Sequence, residues 1–236
     1  MMLIGLKKHI VECYRESGAL DFPVAGLVAS GTRSIGRIDR ARRNIERLIE
    51  KMGNLGFTLH ANNAPTGTLE TIVDFFQQLQ IGTGREYRPQ YLLHRIQGSE
   101  SRMEADRLGL AAVFNMVAYA AGVTDLGIAV AGRHYFPCYA LKASPANTLS
   151  FPLRQISPQR LQVLLRQKKV YGQRDLVAML AARTAGRLYN GGCQLTADRF
   201  YEFAGALASE QSLVEKELEY GQAASSQRNM PDVKYV

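Results

Sequence analysis

The chain has 236 residues, of which 46% are hydrophobic and 21% charged, a composition that excludes an intrinsically disordered protein and allows one large or two modest cores. Lysine and arginine outnumber aspartate and glutamate by 29 to 21, and the net charge of +8 favours acidic partners such as nucleic acid or an anionic membrane surface. The three cysteines, Cys13, Cys138 and Cys193, form neither a zinc-binding spacing nor a disulfide framework, which favours a reducing compartment.

Neither the N-terminal segment nor the longest apolar run has the pattern of a membrane-directed sequence. Residues 1–16 alternate charged and apolar side chains and so lack the apolar centre of a signal peptide. The longest apolar run, residues 108–123, contains Asn115 and is too short to span a bilayer, so it is typical of a buried helix. The sequence therefore predicts a soluble protein with no membrane span.

Hydrophobic spacing predicts a mainly helical chain. Apolar residues at helical intervals predict helices over 3–14, 34–52, 68–79, 101–121, 158–171, 173–189 and 197–219. The stretch from 126 to 143 has a strand-like pattern instead, with Gly132 at a position suited to a hairpin turn. The predicted fold class is mainly α with a small β element near the middle of the chain.

The sequence also predicts two lobes and two terminal arms. The long apolar helix ends before residues 122–125, where the hydrophobic pattern changes, so the boundary between the lobes is expected there. The predicted divisions are an N-terminal arm or helix over 1–17, an N-terminal lobe over 18–124, a C-terminal lobe over 125–209 and a C-terminal arm over 210–236.

The C-terminal arm ends in a polar tail that is too poor in apolar residues to fold alone. Ordering such a tail costs about 1–2 kcal/mol per residue, so a neighbouring copy of the chain would have to supply the missing burial. The expected anchors are Met230, Val233 and Tyr235. The tail therefore predicts a ring or filament of copies held together by exchanged arms.

A stripe of cations lies opposite the apolar face when residues 33–52 are placed on a helix. Its members are Arg33, Arg37, Arg40, Arg47 and Lys51. The acidic residues Asp39, Glu46 and Glu50 lie elsewhere around the same helix. A solvated surface helix, the alternative interpretation, usually mixes the signs of its charges in pairs four residues apart. A stripe of one sign repels itself, so it favours a face that binds a polyanion.

A second basic group ends the predicted helix over 158–171, which Ser157 would cap and Gly172 would stop. The cations of its last turn are Arg166, Lys168 and Lys169. Lysines there complement the negative end of the helix dipole, which is a purely structural interpretation. That interpretation explains neither Arg166 nor the absence of acidic residues, so the local pattern leaves both interpretations open.

Three short blocks of the sequence share their residue pattern and order with a known family. The block PQRLQVLLRQ contributes Pro158, Gln159, Leu161, Leu165, Arg166 and Gln167. The block LLHRIQGSESR contributes His94, Arg95, Ile96 and Gly98. Between them, RHYFPCYAL has an aromatic–aromatic–proline segment. Together these blocks resemble segments of the nucleoproteins of orthobunyaviruses.

The resemblance implies two mainly helical lobes with a basic groove between them that holds single-stranded RNA without reading its sequence. It also implies assembly through the terminal arms, a location in the virion and the host cytoplasm, and a viral RNA polymerase as a further candidate partner. Its motif matches assign Arg95 and Arg166 to RNA binding, and the charge pattern adds Arg33, Arg37, Arg40, Arg47, Lys51, Lys168 and Lys169. Bases would rest on apolar or aromatic surfaces, for which Tyr87, Tyr91 and Tyr135 are candidates, although such tyrosines are more often core residues.

A protein of a different class is the alternative: a helical adaptor or effector whose basic face binds an acidic protein or a membrane surface. The two classes differ in one simple observation. A nucleoprotein purified from cells should carry RNA and show a raised ratio of absorbance at 260 and 280 nm.

No catalytic arrangement is predicted, so the chain is not expected to be an enzyme or to need a cofactor. His134 and Cys138 lie four residues apart, but no further metal ligands are organised around them. A hydrolase of the transglutaminase type would need a cysteine at the start of the buried helix, where the sequence is SRMEADRLG. The segment GTGRE follows no predicted strand and lacks the lysine of a phosphate-binding loop.

Overall fold

The computed structural model of the chain describes residues 2–32, 34–57, 65–79, 81–84, 86–98, 103–132, 134–139, 166 and 169–226. Within these residues the fold is mainly helical, with two small sheets, so the predicted fold class is confirmed at that level. The helices are α1 Met2–Ser17, α2 Phe22–Ala29, α3 Ile35–Asn54, α4 Pro65–Gln78, α5 Pro89–Gln97, α6 Arg107–Ala120, α7 Gln173–Asn190, α8 Gln194–Leu207 and α9 Gln211–Ser226. The strands are β1 Ile81–Thr83, β2 Met103–Ala105, β3 Leu126–Ala131, β4 His134–Tyr139 and β5 Lys169–Gly172.

The described chain divides into two compact units. The terminal unit combines Met1–Ser34 with Val177–Val236, and the central unit is Ile35–Leu176. The predicted boundary at 122–125 lies inside the central unit, between α6 and β3. The contacts therefore group the two ends of the chain, whereas the sequence prediction divided the chain near its middle.

The terminal unit is helical, and α8 packs against α1, α2 and α9. Helix α2 was not predicted from the sequence and is almost entirely buried. Its start carries a helix signal nevertheless: the carboxylate of Asp21 accepts a hydrogen bond from the backbone N–H of Val24 at 3.2 Å, and Pro23 lies in the first turn. Helices α7 and α9 approach closely at Gly221, where an added Cβ would lie 2.5 Å from the carbonyl oxygen of Arg183.

The central unit is built around α6, which is apolar and buried over nearly its whole length. Helices α3, α4 and α5 pack against α6, as do β3 and β4. The larger sheet is antiparallel in the order β4-β3-β5, and the smaller one pairs β1 with β2 in parallel. Gly132 turns the predicted β3–β4 hairpin with a φ of 61°, which glycine adopts without strain, so that prediction is confirmed.

Four of the predicted helices are confirmed, each within three residues at either end. They are α1, α3, α4 and α7. The predicted helix over 101–121 begins later, because the carboxylate of Asp106 accepts a hydrogen bond from the N–H of Leu108 at 2.9 Å and caps α6. The predicted helix over 197–219 is interrupted at residues 208–210 and forms α8 and α9.

The predicted helix over 158–171 is wrong at its C-terminal end. Arg166 is helical, but the following segment forms β5, in which Tyr171 pairs with Ile128 of β3. Aromatic and β-branched residues that gain a partner strand favour the sheet over the helix end. Lys169 therefore lies at the start of an edge strand and does not complete a helix dipole. The rest of this predicted helix, residues 158–165, 167 and 168, lies outside the described residues.

Candidate functional site

Helix α3 separates an apolar face from a basic one, as its sequence predicts. Its buried face consists of Ile38, Ala41, Asn44, Ile45, Leu48 and Met52. The predicted stripe members Arg37, Arg40 and Arg47 are exposed. Considering only the part of the chain that the structure describes, neither Arg40 nor Arg47 makes an ion pair. Packing against α5 and α6 thus fixes the rotation of α3 and directs these arginines to solvent.

Lys51, at the end of α3, is half-buried and lies beside the C-terminal end of α5. Its Nζ is 3.4 Å from the carbonyl oxygen of Ile96 and 3.5 Å from that of Gln97. A cation at this end of a helix is favoured by the helix dipole and by the last free carbonyl groups. Arg95, which the sequence assigned to RNA binding, is half-buried in the same turn of α5. The structure therefore brings Arg95 and Lys51 into one region.

The start of α5 carries a fixed arginine that the sequence analysis did not select. The Arg88 guanidinium donates from Nε to Oε1 of Glu86 at 2.8 Å and from Nη2 to Oε2 at 2.6 Å. These hydrogen bonds raise the pKa of Arg88 above its ordinary value. The guanidinium also lies over the ring of Tyr91, 4.1 Å from its centroid. A Glu-x-Arg spacing just before a helix is the only sequence signal for this cluster.

The three candidate tyrosines differ sharply in exposure. Tyr87 is 3% exposed and Tyr135 is 5% exposed, so both belong to the core. Tyr91 is 43% exposed. Of the three, only Tyr91 presents its ring to solvent.

Two members of the second predicted basic group are described by the structure. Arg166 and Lys169 are both exposed, and Lys169 pairs with Val130 in the larger sheet. The remaining predicted site residues lie outside the described residues: Arg33, Lys168, Met230, Val233 and Tyr235.

The basic surface of α3 is broader than the predicted stripe, because Arg42 and Arg43 are exposed as well. Neither residue is a member of the predicted stripe. The helix bears six basic and three acidic side chains in total. Its solvent side is therefore positively charged beyond the row of Arg37, Arg40 and Arg47.

His134 and Cys138 both lie in β4, but His134 is only partly buried. The His134 ring contacts the guanidinium of Arg107 and stacks on Phe136, with ring centroids 6.1 Å apart. Cys138 is buried in the core. Among the described residues, no group of three or more His, Cys, Asp or Glu side chains could hold a metal ion. Among the helices of the described ranges, none is both long and apolar enough to cross a membrane.

Comparison with protein-family models, with curated proteins and with solved structures found no match to this chain. The resemblance of the three short blocks to orthobunyavirus nucleoproteins therefore stays a prediction. Residues 92–98 of the block LLHRIQGSESR lie on α5 and its end, and the rest of that block lies outside the described residues. The aromatic–aromatic–proline segment lies on β4. The block at 158–167 lies outside the described residues except for Arg166.

Proposed function

We propose that this chain is a nucleocapsid-type protein that binds single-stranded RNA through a basic face of its central unit, without reading the base sequence. The basic face is defined as Arg37, Arg40, Arg47, Lys51 and Arg95. The observation that carries the proposal is the row of exposed arginines on α3, a helix whose opposite side is buried.

Exposed arginines of one sign suit the chemistry of a phosphate backbone. The planar guanidinium donates two hydrogen bonds to phosphate oxygens and stays charged at all relevant pH values. From Arg37 to Lys51 the helix rises about 21 Å at 1.5 Å per residue, a length that several successive phosphates of an extended strand can follow. Contacts to phosphates position a strand and carry no sequence information, in keeping with sequence-independent binding.

The resemblance to orthobunyavirus nucleoproteins extends this proposal to the assembly. Copies would exchange terminal arms through Met230, Val233 and Tyr235, and a groove between lobes would enclose the RNA. Arg33, Arg166, Lys168 and Lys169 would add phosphate contacts in that groove. The protein would then act in the virion and the host cytoplasm, where a viral RNA polymerase would use the coated RNA.

The test compares two double variants that remove the same net charge. Arg40→Ala/Arg47→Ala removes part of the basic face, whereas Arg15→Ala/Arg199→Ala removes two exposed arginines of the terminal unit. Fluorescence anisotropy with labelled RNA of mixed sequence would give the affinity at several salt concentrations. Five phosphate contacts predict a slope of log K against log salt of about −3.5, and the face variant should reduce its magnitude by about 1.4. The control variant should keep the slope of the unmodified protein.

Three outcomes would contradict the proposal. Equal loss in both double variants would mean that net charge alone governs binding. A strong preference among unrelated RNA sequences would contradict phosphate recognition. Absence of RNA binding at low salt, together with binding to anionic vesicles or an acidic protein, would support the adaptor or effector class instead.

A further inference from the structure

The segment before α5 is held against the start of α6. The backbone N–H of Asp106 donates to the carbonyl oxygen of Glu86 at 2.7 Å. Gly109 of α6 lies so close to Tyr87 that an added Cβ would be 2.5 Å from the Cα of that tyrosine. Contacts with Asp106 and Gly109 therefore fix the backbone of Glu86 and Tyr87. Arg88 is the next residue in the chain. The position of the Arg88 side chain is set by packed backbone as well as by its own hydrogen bonds.

Arg88 presents a flat group whose charge is already matched. Both carboxylate oxygens of Glu86 accept hydrogen bonds from its guanidinium, at 2.8 and 2.6 Å. Such a fork holds the guanidinium plane in one orientation. Because the Glu86 carboxylate neutralises its charge and occupies its hydrogen-bond donors, Arg88 is better suited to stacking than to binding a phosphate. Its Cζ lies over the ring of Tyr91, 4.1 Å from the ring centroid.

Tyr91 stands next to a second arginine along α5. Residues four apart on a helix are neighbours on its surface, so Tyr91 lies between Arg88 and Arg95 on one side of α5. Tyr91 is 43% exposed although the guanidinium covers part of its ring. An exposed aromatic ring beside cations is the arrangement on which proteins stack unpaired bases.

We propose that Tyr91, backed by Arg88, is a stacking platform for one unpaired nucleobase of the bound strand. This inference rests on the proposed function and adds a contact to a base, which the phosphate-binding basic face does not provide. Arg95, one turn further along α5, would contact a phosphate next to the stacked base. Every base has a flat π face, so the platform accepts any of them and fits binding without sequence preference.

The first arm of the test separates base contacts from phosphate contacts. Tyr91→Ala removes the ring, and Tyr91→Phe keeps it while removing the hydroxyl. Each is compared with the unmodified protein on single-stranded RNA and on an abasic strand of the same length, which carries phosphates but no bases. Tyr91→Ala should weaken RNA binding about tenfold and leave binding of the abasic strand unchanged. Tyr91→Phe should behave as the unmodified protein does on both.

The second arm uses the absence of tryptophan from the sequence. Tyr91→Trp introduces a single fluorophore at the platform, and Leu195→Trp introduces one at an exposed position of α8 in the terminal unit. RNA should quench the emission at position 91, because a stacked base quenches indole, and leave the emission at position 195 nearly unchanged. Far-ultraviolet circular dichroism checks that every variant keeps its helical content.

The outcomes distinguish the two proposals. If the unmodified protein binds RNA, but Tyr91→Ala binds it equally well and Tyr91→Trp is not quenched, the platform is wrong and the basic face stands. If the unmodified protein binds neither RNA nor the abasic strand, the proposed function fails and the platform fails with it. A tenfold loss that appears equally on the abasic strand would also overturn stacking, since that strand has no base to stack.

Discussion

In the terminal unit the Arg183 side chain is 5% exposed and ion-paired with Glu217, whereas in the central unit Arg37, Arg40 and Arg47 are exposed to solvent. The buried pair joins α7 to α9, with the Arg183 Nη2 at 2.5 Å and Nε at 3.0 Å from one carboxylate oxygen. The Glu217 side chain is fully buried.

The buried arginine and the exposed arginines have different roles. A buried guanidinium must be matched by a carboxylate, and removing either partner leaves an uncompensated charge inside the protein. An exposed arginine contributes little to folding, because water screens its interactions. Arg183 is thus part of the packing of the terminal unit, while the exposed arginines on α3 can be replaced with little effect on stability. Mutations in the two units should therefore affect different measurements.

The largest expected effect is the loss of the buried pair in the terminal unit. Glu217→Ala should lower the free energy of unfolding by about 3–5 kcal/mol, because Arg183 would stay buried without a counter-charge. Urea unfolding followed by circular dichroism measures this. Glu215→Ala, at an exposed position of the same helix, should change stability by no more than about 0.5 kcal/mol.

A paired replacement sharpens this test. Arg183→Met/Glu217→Leu removes both charges and keeps apolar volume, so it should be markedly more stable than Glu217→Ala. If Glu217→Ala and Glu215→Ala unfold at the same urea concentration, the buried pair does not stabilise the terminal unit. The comparison between the units would then lose its basis.

The next effect in size concerns the central unit at Gly109. A methyl group there would meet the backbone of Tyr87 at 2.5 Å, and backbone cannot yield as a flexible side chain can. Gly109→Ala should therefore destabilise the protein by about 2–3 kcal/mol. Gly36→Ala on α3 is the matched control, since nothing lies within 4 Å of its added Cβ. That control should stabilise the protein by up to about 1 kcal/mol, because alanine favours the helix.

Gly109 also connects stability to the proposed stacking platform. Displacing Tyr87 would move Arg88, so Gly109→Ala should weaken binding to RNA more than binding to an abasic strand. Gly36→Ala should change neither affinity. If Gly109→Ala is as stable as the unmodified protein, the close approach of α6 to the segment before α5 is wrong.

Sequence alone predicted α3 and its basic face because both depend on local periodicity. Every third or fourth residue faces the same side of a helix, so the buried and exposed faces follow from spacing. The exposed positions of Arg37, Arg40 and Arg47 agree with that spacing. In a helix of this length, a continuous apolar face determines which side is buried and which is exposed.

Lys169 shows where local signals fail. Its neighbourhood has the composition of a helix end, yet the strand is decided by Val130 and Ile128, which lie about 40 residues earlier and offer backbone hydrogen bonds. The three tyrosines show the same limit. Tyr87 and Tyr91 lie four positions apart, but Tyr87 is buried where α6 approaches it and Tyr91 is exposed. Burial of one and exposure of the other depend on a contact that spacing does not encode.

The smallest expected effect is a dependence of stability on pH that arises from Lys7 of α1. Its ammonium lies 3.0 Å from the centroid of the Phe200 ring, and this contact favours the charged form. Burial, and next the charge of Arg199, oppose that form and lower the pKa of Lys7 from 10.5 to about 8. Between these two pH values the unfolded chain binds more protons at this lysine than the folded protein does. Stability should therefore rise with pH through that range.

The size of this rise is limited by solvent, because Lys7 is only partly buried. After allowance for screening, we expect the free energy of unfolding to increase by on the order of 1 kcal/mol between pH 8 and 10.

Lys7→Met keeps the apolar stem and removes the titrating group, so its stability should not show this increase. Urea unfolding of both proteins at intervals of half a pH unit measures the difference, and titrations common to both cancel. If the two proteins change in parallel, Lys7 has an ordinary pKa and the ammonium is as well solvated as the cations of α3. The contrast between the units would then rest on the Arg183–Glu217 pair.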